Sequence, residues 1–243
     1  MTSTAPEPVE VVLLPSLGRG AADFDDLATE LGRSGFMPIA VGPSAPATVP
    51  PNATLHDLAE LVVDRLAEAG LERYHVVGHA FGQRLARCIV ADFPERVATL
   101  TMLAAGGLVP MPDLIAQSLL AVFDPSLGPV EHLVHVRRVF FARRSDPEVW
   151  RDGWLPEVAA YQSAAVRRTP EREWNAAVAS RVLVVQGLQD ACAVPENGRR
   201  FVAARPDVAT LVEVDGAGHA LLPEQPTAVA EAVIAFLRAG AAD

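Results

Sequence analysis

The stretch Tyr74-His75-Val76-Val77-Gly78-His79-Ala80-Phe81-Gly82-Gln83-Arg84 limits what this chain can become more than any other. A buried-strand pattern enters it, a helix pattern from Leu85 to Phe93 leaves it, and only Gly78-x-Ala80-x-Gly82 lies between. A strand that turns so abruptly into a helix needs one residue in a strained backbone conformation, and the side chain of that residue, Ala80, then projects above the C-terminal edge of a parallel sheet. The flanking glycines keep Cβ atoms out of the tight contact between strand and helix.

The remaining segments suit such a sheet. Val9 to Leu14 reads as a first buried strand, followed by the loop Pro15-Ser16-Leu17-Gly18-Arg19-Gly20 and a helix from about Ala22 to Gly32 with Phe24, Leu27 and Leu31 on one face. Met37 to Val41 is a short second strand, and the Pro-rich Gly42 to Asn52 is a surface loop without helix potential. Thr54 and Asp57 form an N-cap pair for a helix whose apolar face carries Leu55, Leu58, Leu61, Val62 and Leu66. Val97 to Leu103 is a further buried strand ending at Ala104-Ala105-Gly106-Gly107. Alternation stops from Leu108 to about Ser180 and resumes with strand Val182 to Gln186, helix Pro195 to Ala204, strand Thr210 to Val214 and a closing helix from Pro226 to Leu237. Strands alternating with helices imply an α/β fold with a mostly parallel sheet of about six strands and helices on both faces.

The strand–turn–helix around Ala80 resembles the nucleophile elbow of the α/β-hydrolases, whose pattern is Gly-x-Ser-x-Gly. Two more loops resemble that family's catalytic loops. Gly187-Leu188-Gln189-Asp190, followed by Val194-Pro195, resembles the one carrying the acid, and Gly216-Ala217-Gly218-His219 the one carrying the histidine. The order elbow, Asp, His is the family's own. The resemblance implies an α/β-hydrolase fold with residues 1–107 and 181–243 as the core and 108–180 as a helical lid. Only eight residues precede the first strand, too few for the family's antiparallel edge hairpin, so that hairpin is expected to be missing. The oxyanion hole implied by the resemblance uses the backbone N–H groups of Phe81 and Leu17, although Pro15-Ser16 stands where the family usually has His-Gly. Substrate contacts are expected from Ser16, Gln83, Phe123, Phe140 and Trp154, and His79 is read as structural. Ser16 and Gln83 each have a plainer alternative, Ser16 as a cap of its own loop and Gln83 as a helix-start residue bonding nearby backbone.

Composition narrows the partners. The formal net charge of −10 argues against nucleic-acid or anionic-membrane surfaces, which need a basic face. All 20 basic residues are Arg, so a lysine Schiff base or lysine general base is excluded. Cys88 and Cys192 have no metal-ligand or disulfide spacing; Cys88 reads as a core filler and Cys192 as a neighbour of Asp190. No apolar run approaches the roughly 18 residues a membrane span requires, and no basic-then-apolar leader is visible, so the expectation is a cytoplasmic protein acting on a small apolar molecule. No cofactor and no metal is called for, and assembly as a homodimer stays open.

Alanine at the elbow decides the chemistry. Acyl transfer needs a hydroxyl that His219 can deprotonate, and residue 80 has none. Serine-esterase chemistry is therefore excluded for this sequence, as are mechanisms that need an aspartate there. The leading expectation is an enzyme in which His219, oriented by Asp190, acts as a general base without covalent catalysis. It either activates water against an ester or lactone or moves a proton in lyase, isomerase or cyclase chemistry. The alternatives are a serine hydrolase whose nucleophile was replaced by Ala, and a ligand-binding pseudoenzyme that kept the pocket.

Overall fold

The structure, a computed structural model, describes residues 9–175, 179 and 181–240. Its centre is a sheet of six parallel strands in the order β2-β1-β3-β4-β5-β6: β1 (Val9–Leu14), β2 (Phe36–Ala40), β3 (Tyr74–His79), β4 (Val97–Leu103), β5 (Val182–Gly187) and β6 (Ala209–Val214). Strands β3 and β5 are buried almost throughout because both faces are covered, as central parallel strands must be. Among the described residues no strand lies outside β2, in keeping with the missing hairpin.

Helices α1 (Asp25–Arg33) and α10 (Pro226–Gly240) close one face, where Leu27, Leu31, Val229 and Val233 pack on Val11, Leu13, Val77 and Val185. On the other face α2 (Leu55–Glu68), α3 (Phe81–Asp92) and α8 (Glu196–Ala203) bury Leu58, Val62, Ile89 and Phe201 against Val12, Val76, Leu100 and Val184. Thr54 and Asp57 form the expected capping box: the Asp57 carboxylate accepts from the Thr54 N–H at 2.7 Å, and the Thr54 hydroxyl accepts from the Asp57 N–H at 3.2 Å.

Element ends differ from the sequence reading by a few residues. The first helix begins as a 3₁₀ turn over Ala21–Phe24, and the Pro-rich loop contains one short 3₁₀ turn, Pro46–Thr48, because proline's fixed φ suits a tight turn's first position. Between β4 and β5 the chain forms α4 (Asp113–Val122), α5 (Pro129–Phe140), α6 (Pro156–Arg168) and α7 (Glu171–Asn175). Another short helix, α9 (Leu221–Glu224), follows β6. Among the described residues no helix is long and apolar enough to cross a membrane.

Candidate active site

Ala80 sits at φ 50°, ψ −105°, a conformation that L-residues rarely adopt, at the junction of β3 and α3. The packing that enforces it is backbone on backbone. A Cβ at Gly82 would lie 2.0 Å from the Leu14 carbonyl oxygen, and one at Gly78 would lie 2.5 Å from the Gln83 backbone. Gly82→Ala therefore has to push β1 away from α3. The expected loss is about 3 kcal/mol, lowering Tm by about 6–12 °C in a chain of this size. A calorimetric Tm within about 2 °C of wild type would contradict this packing.

The acid and histidine loops meet through glycines in the same way. Gly187 ends β5, and a Cβ there would stand 2.3 Å from the Gly218 carbonyl. Gly218 is in turn pressed on the chain at Phe140 and Ala142, where a Cβ would lie 2.7 Å from backbone atoms. Glu224 locks this junction, its two carboxylate oxygens accepting from the Ala142 and Gly218 N–H groups at 2.7 Å each. Burial pushes the Glu224 carboxyl up, while these bonds favour its ionised form.

Asp190 and His219 are thereby brought together. The His219 Nδ1–H donates to Asp190 Oδ2 at 2.9 Å, with Asp190 3% and His219 5% exposed. Asp190 Oδ1 accepts from the Cys192 and Ala193 N–H groups at 2.8 and 2.7 Å, and Gln186 Nε2 reaches Oδ2 at 3.2 Å. These donors fix the carboxylate in place, which sets the imidazole tautomer. Nε2 of His219 meets no nitrogen or oxygen partner among the described residues. Burial opposes a charge on His219, but Asp190 and the Cys192 thiol beside the ring outweigh it and hold its pKa well above the usual histidine range. His79 anchors the same loop from β3, its Nε2–H donating to the His219 carbonyl at 2.8 Å. Complete burial lowers the His79 pKa to about 3, so it stays neutral, as a structural residue should.

A cavity of about 620 Å³ opens over Ala80 and His219. Of the residues anticipated from the sequence, Ser16, Leu17, Ala80, Phe81, Gln83, Phe140 and His219 line it, with Asp190 behind the histidine. Phe81 begins α3, so its N–H has no intrahelical acceptor, and the Leu17 N–H donates to no acceptor among the described residues. The Leu17 loop is held from α6: Gln162 Oε1 accepts the Gly18 N–H at 2.8 Å, and the Gly18 carbonyl accepts the Leu155 N–H at 2.9 Å.

Phe123 and Trp154 are not among the lining residues. Phe123 lies against Gly18, whose φ is +60° and whose Cβ, if present, would be 2.5 Å from the ring. Trp154 joins Phe123, Phe140 and Trp150 in a cluster with ring centroids 5.3–5.8 Å apart. The buried Arg19 guanidinium lies 4.5 and 4.7 Å from the Trp150 and Trp154 rings, and pairs with Asp23. These aromatics thus bury an arginine and brace the oxyanion-type loop.

Sequence reasoning passed over other lining residues. Arg84, Arg167, Glu171, Asn197 and Met111 all line the cavity, as does Cys192, the neighbour of Asp190, so the cavity is more polar than a site for a purely apolar molecule. Asn197 is buried, and its Oδ1 accepts from the Leu108 and Val109 N–H groups at 2.9 and 2.8 Å, which fixes the chain where it leaves β4. The only sequence signal for Arg84 was its place two residues after the second elbow glycine, Gly82. Among the described residues no cluster of three or more His, Cys, Asp or Glu side chains is placed to hold a metal ion.

Known proteins bear on this geometry. The family model described as alpha/beta hydrolase family matches residues 11–232. RutD of Caulobacter vibrioides, provisionally named a carbamate hydrolase, is 27% identical over 211 residues, 78% of this chain and 74% of its own length. The abhydrolase domain-containing protein lid-1 of Caenorhabditis elegans is 29% identical over 103 residues, and the match covers 40% of this chain but only 29% of that protein. In three dimensions a hydrolase from Pseudomonas aeruginosa superposes with a TM-score of 0.78 at 23% identity, over 97% of this chain and 92% of that one. That likeness concerns the fold.

Proposed function

Because the chain belongs to the alpha/beta hydrolase family, we propose that it is a nucleophile-free member in which the His219–Asp190 pair moves protons on an oxygenated small molecule with a largely apolar body. The observation that carries this reading is the intact pair beside a residue without a hydroxyl: His219 Nδ1 bonds Asp190 at 2.9 Å, its Nε2 is left without a nitrogen or oxygen partner, and Ala80 lines the same cavity.

The substrate's carbonyl rests over Ala80, with its oxygen toward the Phe81 and Leu17 N–H groups. In the base form, His219 Nε2 takes a proton from a water, which attacks an ester or lactone, or from the carbon next to the carbonyl in lyase, isomerase or cyclase chemistry. The imidazolium returns that proton to the leaving oxygen or carbon, and Asp190 stabilises it in between. The two N–H donors face the oxygen that gains charge. The helices of residues 108–180 act as the lid that excludes bulk water. No cofactor and no metal is required, and the protein works in the cytoplasm.

An Ala80 conformation that costs about 1–3 kcal/mol is kept although no nucleophile uses it. Its remaining use is to aim the Phe81 N–H, which favours catalysis over a bare binding role. The surroundings favour a site native to this sequence over a serine hydrolase with one replaced residue. Gln83 Oε1 accepts from Arg87 at 3.2 Å, and Arg87 also bonds Asn175, a network that a single change at residue 80 does not explain.

The test is a panel of esters, lactones and enolisable ketones offered to wild type and to His219→Ala. Wild type is expected to turn over at least one of them, and His219→Ala to lose about 10²–10⁴-fold in kcat. Equal activity in the two proteins, or a wild type that is silent until Ala80→Ser is introduced, would overturn the reading.

A further inference from the structure

We propose that the cavity binds its substrate by an anionic group, a carboxylate, seated on Arg84 and the side-chain amide of Gln83, so that the molecule is an organic acid with its reacting carbonyl over Ala80. This rests on the reading of that cavity as the substrate site, and it adds the substrate class.

Four observations support it. Arg84 lines the cavity, and among the described residues no carboxylate comes within ion-pair distance of it. Its guanidinium is instead 5.3 Å from the centre of the Trp174 ring. Burial pulls its pKa below the ordinary arginine value, and the groups that favour its charge are the Cys192 thiol and Glu171, a residue exposed to solvent. A partly buried cation left in this condition is costly unless something negative arrives.

Gln83 supplies the second observation. It is 1% exposed, lines the cavity, and its amide can be oriented only one way, because Oε1 accepts from Arg87. The Nε2–H₂ group therefore faces away from that arginine and has no partner among the described residues. That nitrogen is closed off from solvent, so a carboxylate oxygen reaches it as the side chain turns toward the cavity, and the turn gives a costly unpaired donor its acceptor.

The third observation is the surrounding charge. Arg167 also lines the cavity, and Arg87 and Arg205 stand behind it, 4.7 and 4.2 Å from the Phe201 ring. Against these stands one lining carboxylate, Glu171, so cations outnumber anions at this wall in a chain whose formal net charge is −10. The fourth is placement: this wall is built on α3, α6 and α7, while His219 and Asp190 come from the loops after β6 and β5. One molecule can thus present a carboxylate to the first and a carbonyl to the second. A planar guanidinium beside an amide N–H₂ suits a carboxylate's two oxygens, and a neutral group would leave the charge uncompensated.

Cys192, which lines the same cavity as Arg84, is a built-in reporter. Wild-type protein is treated with iodoacetate and, separately, with iodoacetamide, and the rate of Cys192 alkylation is followed by peptide mass spectrometry. The ratio of the two rates is divided by the same ratio for glutathione, which cancels the reagents' intrinsic reactivities and the thiol's ionisation. The result expected is a normalised ratio of about tenfold in favour of the anionic reagent, the factor one charge-assisted contact is worth. Sodium benzoate should slow the labelling and benzamide should not, and Arg84→Met should return the ratio to that of glutathione.

A wild-type ratio equal to glutathione's, equal protection by benzoate and benzamide, a ratio unchanged in Arg84→Met, or a Cys192 inert to both reagents would each overturn the proposal. The wild-type measurements decide even where Arg84→Met fails to fold. Failure here is separable from failure of the general-base reading. Turnover that depends on His219 without a benzoate effect removes the carboxylate site alone, and a benzoate effect without turnover removes the proton chemistry alone.

Discussion

Ala80→Ser is expected to turn this protein into one that fluorophosphonates label stoichiometrically at residue 80, where the wild type has no atom that can react. The backbone at residue 80 holds the strained φ of 50°, the Phe81 N–H is free at the start of α3, and His219 lines the same cavity with its Nδ1 on Asp190. In a protease whose triad has been dissected, losing the serine costs about 10⁶-fold in turnover, so the reverse change has ample room to act. Esterase turnover should rise less than labelling does, because the unusual Pro15-Ser16 loop shapes the oxyanion site. The measurement is intact mass after treatment with the probe. An Ala80→Ser variant that folds fully and stays unlabelled would mean that the elbow and the histidine are not aligned for attack.

The second large effect is on Asp190. Asp190→Asn removes the carboxylate that raises the His219 pKa, leaves burial to lower it, and releases the Nδ1–H tautomer. Turnover is expected to fall by about 10³–10⁴-fold, as it does when a triad aspartate becomes asparagine. The pH profiles should separate the two proteins. In wild type the base form of His219 appears only as pH rises through its raised pKa, so the rate climbs on the alkaline side of about 6.5. In Asp190→Asn the residual rate should show that limb shifted toward acid. Stability follows with a definite sign. A histidine whose folded pKa is raised contributes stability that is fully present below its unfolded value of about 6.5 and is lost as pH rises through the folded value. Wild-type Tm should therefore fall across the alkaline range more steeply than that of Asp190→Asn. Parallel Tm curves would show that the pair is not an ion pair in the folded protein.

What could be read from residues alone was set by local backbone demands. Gly78 and Gly82 announce the elbow because the turn forbids a Cβ there, and the structure places backbone atoms 2.5 and 2.0 Å from where those Cβ atoms would be. Asp190 and His219 were legible for a related reason: each stands in a glycine-bearing loop at a strand end, and Gly187 and Gly218 are what let the two loops touch. The cavity wall was not legible in this way. Whether Phe123 or Trp154 faces a ligand depends on how α4, α5 and α6 lie on the sheet, and that depends on contacts such as Gln162 to Gly18, 144 residues apart. The two rings went to Gly18 and Arg19 because a buried guanidinium and a positive-φ glycine offered them flat partners. Arg84 escaped notice for the opposite reason. A charged residue in a helix is ordinarily solvated, and only Trp174, brought in from α7, turns this one into a wall of the cavity.

On the proposed mechanism the chain works by proton transfer and never holds its substrate covalently. The direct measurement is intact-protein mass spectrometry on wild type quenched during turnover of whichever panel compound it consumes. The result expected is the unmodified 25.8 kDa chain at every time point, with product appearing without a burst. A stoichiometric adduct that forms and decays at the catalytic rate, mapped to Ser16, Cys192 or any other cavity residue, would contradict it.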